Sequence, residues 1–327
     1  MNRRSFLKSS LTVSAGLALG ATPRLTYFAS ANDSTKWRKF EVITKVDVIK
    51  PVGATRVWLP VPLTNNTDYF KREDDSWTGN FKKAGVIQYD RYGTGMLFAE
   101  WRAEEAAPSL ELKSRFMTRD RQVNLSAKPN SAAKQDRAVL DYFRKPSKLI
   151  RTDGIVATTS RGITMGMKSD IDKARAIYDW IVDNTFRDPN VKGCGIGDIS
   201  TMLQTGYLGG KCADLNALYV GLARAAGLPA RDVYGIRCAN SSEFKSLGKS
   251  DDITRAQHCR AEVFLTGYGW VPVDPADVRK VVLEENLPGQ PLPVELTVAS
   301  LAVHEVPVAT RPIETDLSDC VASLYTK

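Results

Sequence analysis

Two histidines, five cysteines, no Cys-x-x-Cys pair and no internal repeat are the first constraints on this 327-residue chain. The missing Cys-x-x-Cys spacing argues against a structural zinc site. There is also no Arg-rich helix, Cys/His finger or aromatic RNA-binding signature, so the surplus of positive charge is a solvated surface and nucleic acid is not an expected partner. No acidic cluster has calcium-loop spacing, and no cofactor motif is present, so neither a metal nor a cofactor is expected. Past the N-terminal segment no apolar run is long enough to span a bilayer. An odd cysteine count leaves at least one thiol free unless two chains pair. Cys194, Cys238, Cys259 and Cys320 could be bridged in three ways, or stay reduced and buried, and the sequence does not choose. Oligomeric state is likewise unreadable.

What is present begins with an address. Arg3 and Arg4 are followed by Ser5-Phe6-Leu7-Lys8 and by a small, apolar stretch from Leu11 to Ala21, which is the twin-arginine export pattern with Asn2 where Ser or Thr is commoner. Ala29-Ser30-Ala31 offers a small-x-small cleavage site, so residues 1–31 read as a signal peptide and the mature chain as a periplasmic or otherwise extracytoplasmic protein without a membrane span. An uncleaved anchor is the competing reading. Removing Arg3, Arg4, Lys8 and Arg24 from a formal charge of +8 leaves +4, which is only mildly basic.

With 43% apolar and 25% charged residues, the remainder falls among ordinary globular chains of one or two domains. Residues 36–125 carry β patterning. Phe40, Val42, Val46 and Val48 share one parity, with Ile43 and Ile49 breaking it. Val57, Leu59 and Val61 continue after the Pro51–Gly53 turn, and Leu110, Leu112 and Phe116 alternate with charged residues. Successive short strands predict an antiparallel β-sandwich that packs against or extends a second unit. Residues from Asn124 to Arg137 read as a linker. The second unit, 135–290, starts with helical spacing: Ser169 caps a helix bearing Ile171, Ala174, Ile177, Tyr178 and Ile181. Another helix runs from about Cys212 to Ala226, with Leu215, Leu218, Tyr219 and Leu222 on its buried face and Gly227 and Pro229 ending it. Strands follow near Arg231–Cys238, His258–Leu265 and Trp270–Asp274. Residues 291–327 form a C-terminal extension with strand-like pieces such as Val294–Val298.

Chemistry concentrates at Gly209-Gly210-Lys211-Cys212. A cysteine opening a helix has its thiolate stabilised by unpaired N–H groups and the helix dipole. The two glycines leave room for a carbonyl to approach the sulfur, and the Cys212 N–H is a candidate oxyanion donor. A thiol nucleophile needs a base, and His258 heads a strand that can supply one. An odd-length connection around Thr266–Gly269 places His258 and Asp274 on the same sheet face. A register centred on Thr266 would set them opposite one another, so that Asp274 would hold the imidazole. Each residue also has a plain reading: Cys212 as a packed helix-start cysteine, His258 as a structural histidine, Asp274 as a turn residue before Pro275. A metal held by Cys212, His258, Cys259 and Asp274 is disfavoured, because adjacent strand residues point to opposite faces.

Gly210-Lys211-Cys212-Ala213-Asp214, followed by Ala223-Arg224-Ala225-Ala226-Gly227-Leu228-Pro229, resembles the cysteine segment of bacterial transglutaminase-like proteins. His258 through Ala261-Glu262-Val263 to Gly269-Trp270-Val271-Pro272-Val273-Asp274-Pro275 resembles their histidine and aspartate segments, in the same order. The sequence departs from the pattern in Cys259 beside the histidine, Arg260 where an aromatic is common and Ala276 where Thr is frequent. The resemblance implies an α+β, papain-like transglutaminase catalytic core with the β-sandwich ahead of it. It also implies thiol acyl chemistry by Cys212, His258 and Asp274, with Gln204 or Tyr207 completing the oxyanion hole. The expected substrate is a peptide, protein or cell-wall peptide, and a thioester would go on to water (hydrolysis) or to an amine (cross-linking). The rival expectation is an envelope binding or scaffold protein that keeps the fold without the reaction.

Overall fold

The computed structural model describes residues 36–89, 94–121, 123–130, 134–241, 244–248, 250–285 and 305–310. The expected signal segment, the Val294–Val298 piece and Cys320 lie outside them. Six antiparallel strands come first: β1 (Arg38–Asp47), β2 (Arg56–Val61), β3 (Phe70–Gly79), β4 (Lys83–Tyr89), β5 (Thr94–Glu100) and β6 (Ser109–Thr118). They form two three-stranded sheets, ordered β1-β6-β3 and β2-β5-β4. The expected alternation is realised: in β6, Leu110, Leu112 and Phe116 are buried while their neighbours are only half-buried, and Ile43 and Ile49, which break the pattern, are exposed. Leu59, Val61, Leu97 and Ala99 of one sheet pack with Leu110 and Leu112 of the other. Two apolar faces closing on one another in this way make the β-sandwich. Trp101 is buried between them, its indole N–H donated to Asn80 Oδ1 at 2.8 Å.

The second part runs α1 (Arg137–Tyr142), α2 (Gly154–Ile163), α3 (Asp170–Asn184), β7 (Phe186–Arg187), α4 (Ile199–Thr205), β8 (Gly209–Gly210), α5 (Cys212–Ala225), β9 (Ala230–Arg237), β10 (Gln257–Leu265), β11 (Gly269–Val273), α6 (Pro275–Glu284) and β12 (Glu305–Thr310). Ser169 caps α3 by accepting from Asp172 N–H, and the Asp172 carboxylate accepts from Ser169 in return, a reciprocal capping box. Helix α5 differs from expectation: instead of one apolar face it is buried on all sides. Its surroundings explain this, since α2, α3 and α6 pack around it and β9 and β10 lie against it. Each fully buried Leu there contributes roughly 1.5–3 kcal/mol.

The sheet of this part has the order β11-β10-β9-β12, with β12 of the C-terminal extension paired antiparallel to β9. The β10–β11 hairpin requires a correction. It pairs Leu265 with Gly269 and Ala261 with Val273, so its centre is Gly267 and not Thr266. The cause is the turn: Tyr268 N–H donates to Leu265 O at 2.9 Å, with Gly267 at φ +85° in the third position, the backbone of a type II turn that glycine alone adopts freely. Asp274 therefore lies diagonally from His258, just past the end of β11.

Sandwich and sheet meet at a polar seam. Tyr69 donates its hydroxyl to Glu262 Oε1 at 3.2 Å, and Arg121 donates to the Trp270 carbonyl at 2.5 Å. Among the described residues no helix is long and apolar enough to cross a membrane.

Candidate active site

Lys211 precedes α5, and its N–H donates to Asp214 Oδ2 at 2.9 Å. The other oxygen of Asp214 accepts the N–H groups of Ile196 and Gly197 at 2.9 and 2.8 Å, and Ala213 N–H donates to Cys194 O at 2.8 Å. One buried carboxylate thus fastens the 194–198 loop to the start of the helix. Asp214 had drawn attention in the sequence only as part of a motif; its signal was its place at the third position of a helix, where a side chain can reach back to free N–H groups.

Cys212 sits at this helix start, 6% exposed. Its thiol is held well below the ordinary range by hydrogen bonds from the thiols of Cys194 and Cys259. A hydrogen bond from His258 and that residue's positive charge add to them, outweighing the opposing effect of burial. Cys194 is pushed upward by its hydrogen bond to Cys212 and by burial, against the opposite pull of Cys259, and Cys259 is pushed upward by its bonds to Cys194 and Cys212 and by burial. Among the described residues none of the three thiols, nor that of Cys238, is in a disulfide.

His258 Nε2 lies 2.5 Å from Asp274 Oδ2. Asp274 is also the N-cap of α6: its Oδ1 accepts Asp277 N–H at 3.0 Å and the Asn216 amide at 3.2 Å. The carboxylate therefore combines the turn role before Pro275 with a bond to the imidazole, one oxygen for each. Burial pushes its pKa up, but the charge and hydrogen bond of His258, together with Arg237 and Asn216, hold it below the usual value. Beside it Asp277, raised by burial, is paired with Arg237.

Three residues here escaped the sequence reading. Asn216 stands one turn after Cys212 and also donates to Cys259 O at 2.6 Å; a polar residue among the apolar positions of a core helix was its only mark. Cys194 was one undifferentiated cysteine among five. Arg237, in β9, had no local signature. Of the two oxyanion candidates, Gln204 is exposed near the end of α4, and Tyr207, also exposed, donates its hydroxyl to Asp188 Oδ2 at 2.7 Å. Among the described hydrogen bonds neither reaches the Cys212 thiol.

The α+β fold carries a cysteine at the start of a buried helix and a histidine bonded to a carboxylate, and comparison places the fold in a family. The transglutaminase-like superfamily profile matches residues 157–275. An uncharacterized protein of Haemophilus influenzae is 35% identical over 272 residues, covering 78% of this chain and 73% of that protein. The crystal structure of a proposed cysteine protease from Cytophaga hutchinsonii superposes with a TM-score of 0.58 at 17% identity, covering 85% of this chain and 83% of that one; at that identity the likeness is one of fold. The chain belongs to the transglutaminase-like superfamily.

Proposed function

We propose that this protein is an exported thiol enzyme acting on amide bonds, with Cys212 as nucleophile, His258 as acid and base, and Asp274 as the residue that orients and charges the imidazole. The observation that carries the reading is the 2.5 Å approach of His258 Nε2 to Asp274 Oδ2, on an imidazole whose hydrogen bond and charge also lower the Cys212 thiol. The thiolate attacks the amide carbonyl carbon and a C–S bond forms. As the C–N bond breaks, the imidazolium gives its proton to the departing amine or ammonia, leaving a thioester and neutral His258. Water, deprotonated by His258, then releases the acid; an amine acceptor would instead give a cross-link. Hydrolysis of a peptide, protein or cell-wall peptide is the favoured outcome. The backbone N–H of Cys212 is the proposed oxyanion donor. The β-sandwich and the catalytic unit act as two domains, 36–125 and 135–290, and the twin-arginine segment directs the protein outside the cytoplasm.

The test is the pH dependence of Cys212 alkylation, followed residue by residue by mass spectrometry in wild type, His258→Ala and Asp274→Ala. The enzyme reading requires Cys212 to react faster than the other thiols at about pH 6 to 7 and His258→Ala to abolish that advantage. Titration of Cys212 as a free thiol at about pH 8.5, unmoved by either variant, would leave a binding or scaffold protein with this fold.

A further inference from the structure

We propose that Cys194, Cys212 and Cys259 form a binding site for one copper(I) ion, a soft monovalent cation held by three sulfurs. The three Sγ atoms come from separate elements, the loop before α4, the start of α5 and the middle strand β10, yet all lie within 4.8 Å of one another. Metal–sulfur bonds of about 2.3 Å in a trigonal plane need sulfurs about 4 Å apart, so closing on an ion takes shifts of less than about 1 Å. Outside the sulfur group the contacts to main-chain carbonyls are long: the thiols of Cys194 and Cys212 face Gln257 O and Cys194 O at 3.8 and 4.0 Å.

The donor set decides the ion. Among the described residues the three sulfurs group by themselves, while His258, whose Nε2 is bonded to Asp274, groups with Asp274 and Asp277. All-sulfur sites favour copper(I) or zinc over magnesium and calcium. Zinc takes four ligands, and this group offers three. Cys212 and Cys259 are also packed among apolar side chains of the core, which suits an ion that needs no water. Binding forms three copper–sulfur bonds and releases one proton from each sulfur that is protonated beforehand, with no change of oxidation state. The remaining negative charge faces the N-terminus of α5 and the His258 imidazole. Because the ion takes the Cys212 sulfur, metal and acyl substrate exclude each other; that consequence rests on Cys212 being the nucleophile, whereas the site itself does not.

The experiment titrates the reduced full chain anaerobically with copper(I) against a chromophoric copper(I) chelator, beside Cys194→Ser, Cys259→Ser and the control Cys238→Ser. The expected result is one equivalent bound, with three sulfur neighbours at about 2.3 Å by X-ray absorption. Affinity falls at least tenfold in Cys194→Ser and Cys259→Ser and is unchanged in Cys238→Ser. Cys194 lies on a partly exposed loop, so its variant reads out the site even if Cys259→Ser unfolds. Failure to bind one equivalent, equal affinity in Cys194→Ser, or a Cys194–Cys212 disulfide in place of the bound ion would each overturn the site. Alkylation of metal-free Cys212, run in parallel, separates the two ideas: tight copper(I) binding to a sluggish Cys212 keeps the site and removes the nucleophile.

Discussion

Asn216 donates its side-chain amide to Asp274 Oδ1 at 3.2 Å, from the same helix that begins with Cys212. Residues four apart on a helix lie on one face. Helix α5 therefore presents the thiol and, one turn on, the group that fixes the carboxylate bonded to His258.

Asn216→Ala removes that bond and the 2.6 Å bond to Cys259 O. Leaving buried acceptors unpaired costs about 1–3 kcal/mol. Denaturant unfolding should show a loss of that size, and Cys212 alkylation near neutral pH should slow as Asp274 loses its orientation. A stability loss with an unchanged alkylation profile would make Asn216 purely structural.

Asp274→Asn keeps a side chain that can cap α6 and removes the charge facing His258. The thiolate–imidazolium pair exists above the pKa of the thiol and below that of the imidazole. Without the carboxylate the imidazole is easier to deprotonate, so the upper limit of this window moves down. The pH range of fast Cys212 alkylation should narrow from its alkaline side, while unfolding changes little. Asp274→Ala loses the cap as well, at a further cost of about 1 kcal/mol.

Gly195 has φ +96°, and a Cβ there would lie 1.9 Å from Asp214 Oδ2. Gly195→Ala must therefore displace the carboxylate that ties the 194–198 loop to α5. Strain of this kind costs about 1–3 kcal/mol, and the loss should be accompanied by slower alkylation of Cys212. Asp214→Asn, which keeps the shape of the side chain but not its charge, should be milder on both measures.

Glu262 is 1% exposed and is bonded by Arg231 at 2.6 and 2.8 Å, with Arg260 and Arg121 at 3.5 and 3.9 Å. Burial pushes its carboxyl up, but the charges of the three arginines bring it from 4.5 to about 2. A depressed carboxylate pKa stabilises the fold above the unfolded value, so the contribution, about 3 kcal/mol, is complete above pH 4.5 and is lost as pH falls towards 2. Glu262→Gln should unfold more easily at neutral pH, and its difference from wild type should shrink through that window. An equal difference at pH 7 and at pH 2.5 would show that packing, and not charge, is what Glu262 supplies.

The sequence by itself determined the local elements of this protein. Strand parity marked Leu110, Leu112 and Phe116 as inward-facing, Ser169 marked a helix start, and the Cys212 helix ended near Gly227, because side-chain period and capping are properties of neighbouring residues. The same periodicity placed His258 and Asp274 on one face of a hairpin. The register was set by the turn itself, because a glycine turn centred on Gly267 moved Asp274 one diagonal step from its expected partner. Only packing of distant segments buried α5 on every side, brought Cys194 and Cys259 to Cys212, set Asn216 and Arg237 beside Asp274, and laid β12 along β9. Those approaches join residues at least 18 positions apart, and no local period records them.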